Sequence, residues 1–134
     1  MNYWQGQAVE LRTDKSLKDV KDGYNIKSNS EKIIISAAKE SGLLYGVYHI
    51  LRLQQTNSGL ININITEKPS YDVRILNHWD NLDGSVERGY AGKSLWKWEE
   101  LPNTISPRYT EYARANASIG INSVVLNKDR RAHV

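Results

Sequence analysis

The arrangement that most restricts the fold lies in the second half of the chain, where two strand-like segments flank one amphipathic helix. Val73-Arg74-Ile75-Leu76-Asn77 predicts a strand, and Ile121-Asn122-Ser123-Val124-Val125-Leu126-Asn127 a second, buried one. Between them, Ser106-Pro107 supplies an N-cap and a first-turn proline, Tyr109, Tyr112, Ala113 and Asn116 share one helical face, and Gly120 suits a C-terminal stop. The spacing predicts a helix over about 107–119. A strand, a helix and a strand in this order make a βαβ unit, and the handedness of such crossovers makes its strands parallel. The class is therefore α/β.

The first half is patterned differently. Tyr24-Asn25-Ile26-Lys27 and Lys32-Ile33-Ile34-Ile35-Ser36-Ala37 flank the turn pair Asn29-Ser30, which predicts a hairpin. Leu43, Leu44, Val47, Ile50 and Leu51 fall on one face of a helix over about 41–55, with Ser41 as its N-cap and Gln54–Gly59 as a polar stop. Ile61, Ile63 and Ile65 alternate with Asn62, Asn64 and Thr66 as in a half-buried strand. Residues 1–22 show no clear period. Pro69, among charged neighbours, places a boundary between residues 1–70, a small α/β domain, and residues 71–134.

Composition narrows the function classes. With 18 basic and 15 acidic residues the formal charge is +3, and part of the excess sits in Lys128, Arg130 and Arg131, so no basic face for nucleic acid is indicated. Cysteine is absent, which removes thiolate chemistry and Cys-ligated zinc. His49, His78 and His133 have no metal-ligand spacing, and His49 fits a satisfied, partly buried position on the helix. Gly84, Gly89 and Gly92 form no phosphate-binding run. No metal site and no nucleotide site are expected. No apolar run is long enough to span a bilayer. Met1–Leu11 lacks the pattern of a secretory signal, so the default expectation is a cytoplasmic location.

Chemistry concentrates after the Val73–Asn77 segment. Asn77–Pro102 is long, rich in Gly, Trp and charge, and poor in periodicity, and it follows the C-terminal end of a parallel strand, where α/β folds place their ligand sites. Trp79 offers a flat apolar face and an indole donor to a sugar ring, with Asp80, Asn81 and Asp83 as hydroxyl acceptors. The competing reading is a loop whose Asp and Asn side chains bond their own backbone and whose Trp plugs the rim. Asp80, Asp83 and Glu87 resemble a glycosidase carboxylate pair only superficially: in one Gly-bearing loop such acids are turn formers or partners for Arg88 and Lys93. Trp96 and Trp98 form either a platform or packing beneath the loop.

Three segments then carry a resemblance. Arg74-Ile75-Leu76-Asn77-His78-Trp79-Asp80-Asn81-Leu82-Asp83-Gly84-Ser85-Val86-Glu87-Arg88-Gly89-Tyr90-Ala91-Gly92-Lys93-Ser94-Leu95-Trp96-Lys97-Trp98 and Tyr112–Asn122 closely resemble the start of the barrel domain in the xylan-degrading α-glucuronidases, glycoside hydrolase family sixty-seven. Gly42–Gln54 is similar to the helix of the small, hexosaminidase-like accessory domain that precedes that barrel, and the likeness covers roughly residues 23–127. It implies an enzyme that removes (4-O-methyl)glucuronic acid from the terminal xylose of xylo-oligosaccharides, with inversion and without a cofactor. By the same resemblance Trp79 lines the glucuronate pocket, Asp80 and Asn81 shape its floor, and the acid and base carboxylates belong to later strands, so no catalytic residue is assigned here.

A (β/α)₈ barrel needs about 250 residues, so the chain after position 70 supplies the first one to two βα units of an incomplete barrel. Lys128–Val134 departs from the family pattern and puts Asp129 where a pocket valine is expected, as after a shifted frame or a truncated gene. The expectation is a fragment inactive alone, with its oligomeric state undetermined. The alternatives are a non-catalytic sugar-binding module using Trp79, Trp96 and Trp98, and a β-hexosaminidase-like enzyme, whose Trp79 segment does not match.

Overall fold

The structure, a computed structural model, describes residues 6–87 and 89–128. The chain divides into two compact units: Met1–Asp72 with Ala117–Gly120, and Val73–Asn116 with Ile121–Val134.

The first unit is a four-stranded sheet with one helix on it. Strands β1 (Ala8–Thr13), β2 (Tyr24–Ser28), β3 (Lys32–Ala37) and β4 (Asn64–Glu67) lie in the order β1-β3-β2-β4, and helix α1 spans Glu40–Gln55. The hairpin expected from the Asn29-Ser30 turn is β2–β3, antiparallel and in a register that sets Ile26 beside Ile35. Asn29 closes it, its side-chain oxygen accepting from the backbone N–H groups of Glu31 and Lys32. Ile26, Ile33, Ile35 and Ala37 are fully enclosed and form the core with Tyr24, Tyr45 and Ile50. Each isoleucine contributes about 1.5–3 kcal/mol from burial.

Four details differ from the sequence expectations. The lead-in contains a strand: β1 runs parallel to β3, with Val9 opposite Ile33 and Leu11 opposite Ile35. It is an edge strand with Val9 and Leu11 exposed, and its two-residue alternation was too short to stand out. The N-cap of α1 is Lys39, without a side-chain cap bond, and Ser41 lies inside the helix. The buried face of α1 is also rotated from the leucine stripe: Gly42, Tyr45, Gly46 and Ile50 are enclosed, while Leu44 and Leu51 are exposed. Two glycines cause this, because they let the helix backbone sit on the sheet. A Cβ at Gly42 would lie 2.4 Å from the Gly23 carbonyl oxygen, and one at Gly46 would lie 2.5 Å from Cγ2 of Ile35. Finally, β4 starts only at Asn64; Asn62, at φ 58°, turns the chain out of the extended conformation, and Ile61 stays exposed.

The second unit holds the βαβ arrangement. Strands β5 (Ile75–Asp80) and β6 (Ser123–Lys128) pair in parallel, and helix α2 spans Pro107–Ser118 between them. Gly120 ends α2 at φ +80°, with Gly120 N–H bonded to Ala117 O and Ile121 N–H to Asn116 O, a Schellman closure. The enclosed strand expected at 121–127 is only partly covered: Val124 and Val125 are 42% and 44% exposed, because the described residues give this sheet two strands and little to lay over them. The packing of the unit comes from rings. Trp96 stacks on Tyr109 at 4.8 Å between centroids and meets His78 and Tyr112 edge-on at 5.5 and 5.4 Å.

Candidate functional site at the end of the first parallel strand

The segment that the sequence assigns to a loop is in part a strand. β5 extends through His78, Trp79 and Asp80, held by pairing with β6 that sets His78 beside Leu126 and Trp79 beside Asn127. Strand alternation then separates the three candidate residues by face. His78 and Asp80 point toward the rings, where His78 Nε2 hydrogen-bonds the Tyr112 hydroxyl at 2.5 Å. Trp79 points the other way and is 57% exposed.

Asp80 is 1% exposed and acts as a buried anchor. Its Oδ2 accepts from the indole N–H of Trp98 at 3.0 Å and from the Ser94 hydroxyl, while Oδ1 has no partner. The Ser94 hydroxyl oxygen in turn accepts from the Trp96 backbone N–H at 2.9 Å. The carboxylate therefore ties the far end of the loop to the strand. Asn81 ties the near end, its amide donating to Ser85 Oγ at 2.9 Å and to the Glu87 carbonyl at 2.5 Å. Glu87 N–H returns to the Trp79 carbonyl at 3.0 Å, so the loop folds back over the strand end. Gly84, at φ +76°, makes the reversal possible.

Asp83 and Glu87 are turn residues, as the loop reading expects. Asp83 accepts from the N–H and hydroxyl of Ser85, and these bonds hold its carboxyl below the ordinary carboxylate range. Glu87 accepts from the Tyr90 hydroxyl, which raises the Tyr90 phenol. Asp83, stabilised in its charged form, is a poor proton donor at neutral pH. Arg88 and Asp129, singled out in the sequence, lie outside the described residues.

The platform of three tryptophans is not formed. Trp96 is enclosed in the ring cluster, Trp98 commits its indole N–H to Asp80, and Trp79 alone presents an open face. Sequence reasoning missed the ring cluster of His78, Trp96, Tyr109 and Tyr112; the Tyr109–Tyr112 spacing on α2 was the available signal. His49 is satisfied as expected, its Nδ1 lying 2.8 Å from the Tyr24 hydroxyl. Among the described residues no cluster of three metal-ligating side chains occurs, and no helix is long and apolar enough to cross a membrane.

The fold and site thus define an α/β chain with a parallel βαβ unit, an exposed tryptophan at the end of its first strand and a loop anchored behind it. Residues 53–132 match the family model described as the glycosyl hydrolase family 67 middle domain, and the chain belongs to that family. It is 37% identical over 114 residues to alpha-glucuronidase A of Emericella nidulans, a match covering 81% of this chain and 13% of that protein. It is 36% identical over 107 residues to a probable alpha-glucuronidase A of Aspergillus clavatus, covering 79% of this chain and 12% of that protein. A probable alpha-glucuronidase A of Aspergillus terreus is 32% identical over 122 residues, covering 87% of this chain and 14% of that protein. The chain thus spans about an eighth of the length of the curated relatives it matches.

Proposed function

We propose that this chain supplies an accessory α/β domain, residues 1–70, and the opening βα units of a (β/α)₈ barrel, residues 71–134, in an α-glucuronidase. The enzyme hydrolyses the α-1,2 bond that joins (4-O-methyl)glucuronic acid to the terminal xylose of xylo-oligosaccharides, with inversion by a general acid and a general base. Trp79, with Asp80 and Asn81 behind it, forms part of the sugar site, and the chain by itself does not turn over substrate.

One observation supports the reading above the rest: Trp79 is held open at the C-terminal end of a parallel strand, while every carboxylate of its loop for which the structure gives partners is engaged in bracing that loop. Barrel enzymes carry their sites at this end of their strands. Asp80 is enclosed and Asp83 is held ionised, so neither suits the role of proton donor. Acid and base must then come from elsewhere in a complete barrel.

The test is release of glucuronic acid from aldouronic acids. The purified chain is expected to release none, and a fusion restoring a family 67 barrel downstream of β6 is expected to release it with dependence on Trp79. Turnover by the chain alone, or an active fusion indifferent to Trp79→Ala, overturns the reading.

A further inference from the structure

The outer edge of β1 is open. β1 is the last strand of its sheet, and among the described residues no strand pairs with its far side. The bonding direction of the strand can be read from its two ends. Ala8 N–H donates to the Glu31 carbonyl and Asp14 N–H to the Ala37 carbonyl, both toward β3. Backbone groups alternate sides along a strand, so Ala8, Glu10 and Arg12 face β3, while Val9, Leu11 and Thr13 present their N–H and C=O groups outward. The strand holds no proline and no glycine to blunt that edge, and Val9 and Leu11 are exposed on it.

The side chains add a second pattern. Val9 and Leu11 pair with Ile33 and Ile35 and so lie on the side of the sheet that α1 covers. Glu10 and Arg12 lie on the other side, where Arg12 Nε is 2.6 Å from Glu10 Oε1 and Lys32 Nζ is 4.0 Å from Glu10 Oε2. An acid and a base two residues apart, with an apolar residue between them, make a strand complementary to its own reverse.

We propose that β1 is a self-association edge, on which a second copy of this chain pairs antiparallel about a two-fold axis at Leu11, joining two four-stranded sheets into one. Hydrogen bonding and charge together select this register. A slip of one residue opposes outward to inward backbone groups, loses the ladder and sets Leu11 beside a charged side chain. A slip of two restores the ladder but sets Glu10 against Glu10, or Arg12 against Arg12, of the second copy. In-register parallel pairing opposes like charges at both positions. With the axis at Leu11, Leu11 meets Leu11, Val9 meets Thr13, and Glu10 meets Arg12 of the second copy twice over. The pairs formed by Val9, Leu11 and Thr13 exchange about six backbone hydrogen bonds, and the charged pairs fall at the closer positions, about 4.5 Å between Cα atoms. Both copies of α1 then lie on one side of the joined sheet. One strand edge is a small interface, so the dimer is weak and dissociates on dilution. None of these residues belongs to the proposed sugar site.

The test is sedimentation equilibrium of the full chain over a range of concentrations, with hydrogen exchange of the β1 amides followed by NMR. A reversible monomer–dimer equilibrium is expected, in which the Val9, Leu11 and Thr13 amides gain protection with concentration while those of Ala8, Glu10 and Arg12 are protected throughout. Glu10→Arg and Arg12→Glu each turn two attractive contacts into repulsive ones and are expected to weaken the dimer at least about tenfold. Both side chains face solvent, so the fold should persist. The double variant, Glu10→Arg with Arg12→Glu, and an equal mixture of the two single variants set unlike charges opposite each other again and are expected to recover the dimer. A chain that stays monomeric at every concentration overturns the inference. Association that survives both single reversals, whatever its size, also overturns it, as does failure of both the double variant and the mixture to recover the dimer.

Discussion

Replacing Gly42 by alanine sets two effects of opposite sign against each other, and the structure says which prevails. In an exposed helix the change would stabilise by about 1 kcal/mol, since glycine is the poorer helix former. Here the new methyl would lie 2.4 Å from the carbonyl oxygen of Gly23 and 2.8 Å from Cβ of Ala37. Neither can yield cheaply. Gly23 is itself pinched, with its own Cβ direction 2.0 Å from the Glu67 carbonyl oxygen, and Ala37 is fully enclosed. Overpacking of this kind costs about 1–3 kcal/mol, and more where backbone must move, so the net expectation is a loss of about 1–2 kcal/mol. Gly46→Ala meets Cγ2 of Ile35, a stiff and fully enclosed side chain, and should lose a comparable amount. For a unit of this size, with an m-value of about 1 kcal/mol/M, Gly42→Ala lowers the urea midpoint by about 1–2 M. Helical circular dichroism, with hydrogen exchange at Ile33 and Ile35 to localise the loss, reads it directly. An unchanged or raised midpoint for Gly42→Ala would refute the close helix–sheet contact and with it the reason α1 is rotated away from its leucine stripe.

Three further outcomes are expected. Asp80→Ala strands the Trp98 indole N–H and the Ser94 hydroxyl at a cost of about 2–4 kcal/mol, less if water reaches the half-buried Trp98; tryptophan fluorescence should show earlier unfolding of the second unit, Asp80→Asn should lose less, and wild-type melting of Asp80→Ala would contradict the anchor. Burial, with the charge of Arg52 nearby, holds His49 below the ordinary histidine value of 6.5. The unfolded chain therefore takes up the proton first, so this contribution to stability is present above about pH 6.5 and is lost as pH falls through the folded value; the urea midpoint should drop between about pH 8 and pH 5, and His49→Gln should flatten that dependence, whereas an unaltered slope would exclude His49 as its source. Gly120→Ala forces an L-residue to φ +80° at the end of α2 and should cost about 1 kcal/mol, a melting decrease of about 4–8 °C; no decrease would mean that α2 ends otherwise.

The amino-acid order alone decided the elements whose information is local. The β2–β3 hairpin follows from a turn pair between β-branched runs, and the extent of α2 from Ser106-Pro107 at one end and Gly120 at the other. Parallel pairing of β5 with β6 follows from the chain order of strand, helix and strand. That the described chain after Asp80 forms no helix or strand until Pro107 was largely legible as well, because that stretch carries neither period.

What only the tertiary structure decided are the features set by partners distant along the chain. Trp79, Asp80 and Asn81 looked like one loop cluster. Pairing with β6 extends the strand through Asp80 and sends Trp79 and Asp80 to opposite faces, one open and one enclosed. The carboxylate thereby becomes an anchor, and the indole is left on the open face. In the same way, Gly42 and Gly46 chose the buried face of α1, because a helix settles where its backbone can approach most closely, and that depends on the surface it meets as well as on its own apolar side chains. Periodicity records how a segment could be half-buried; which half is buried is settled by the free energy of contacts with chain far away in sequence.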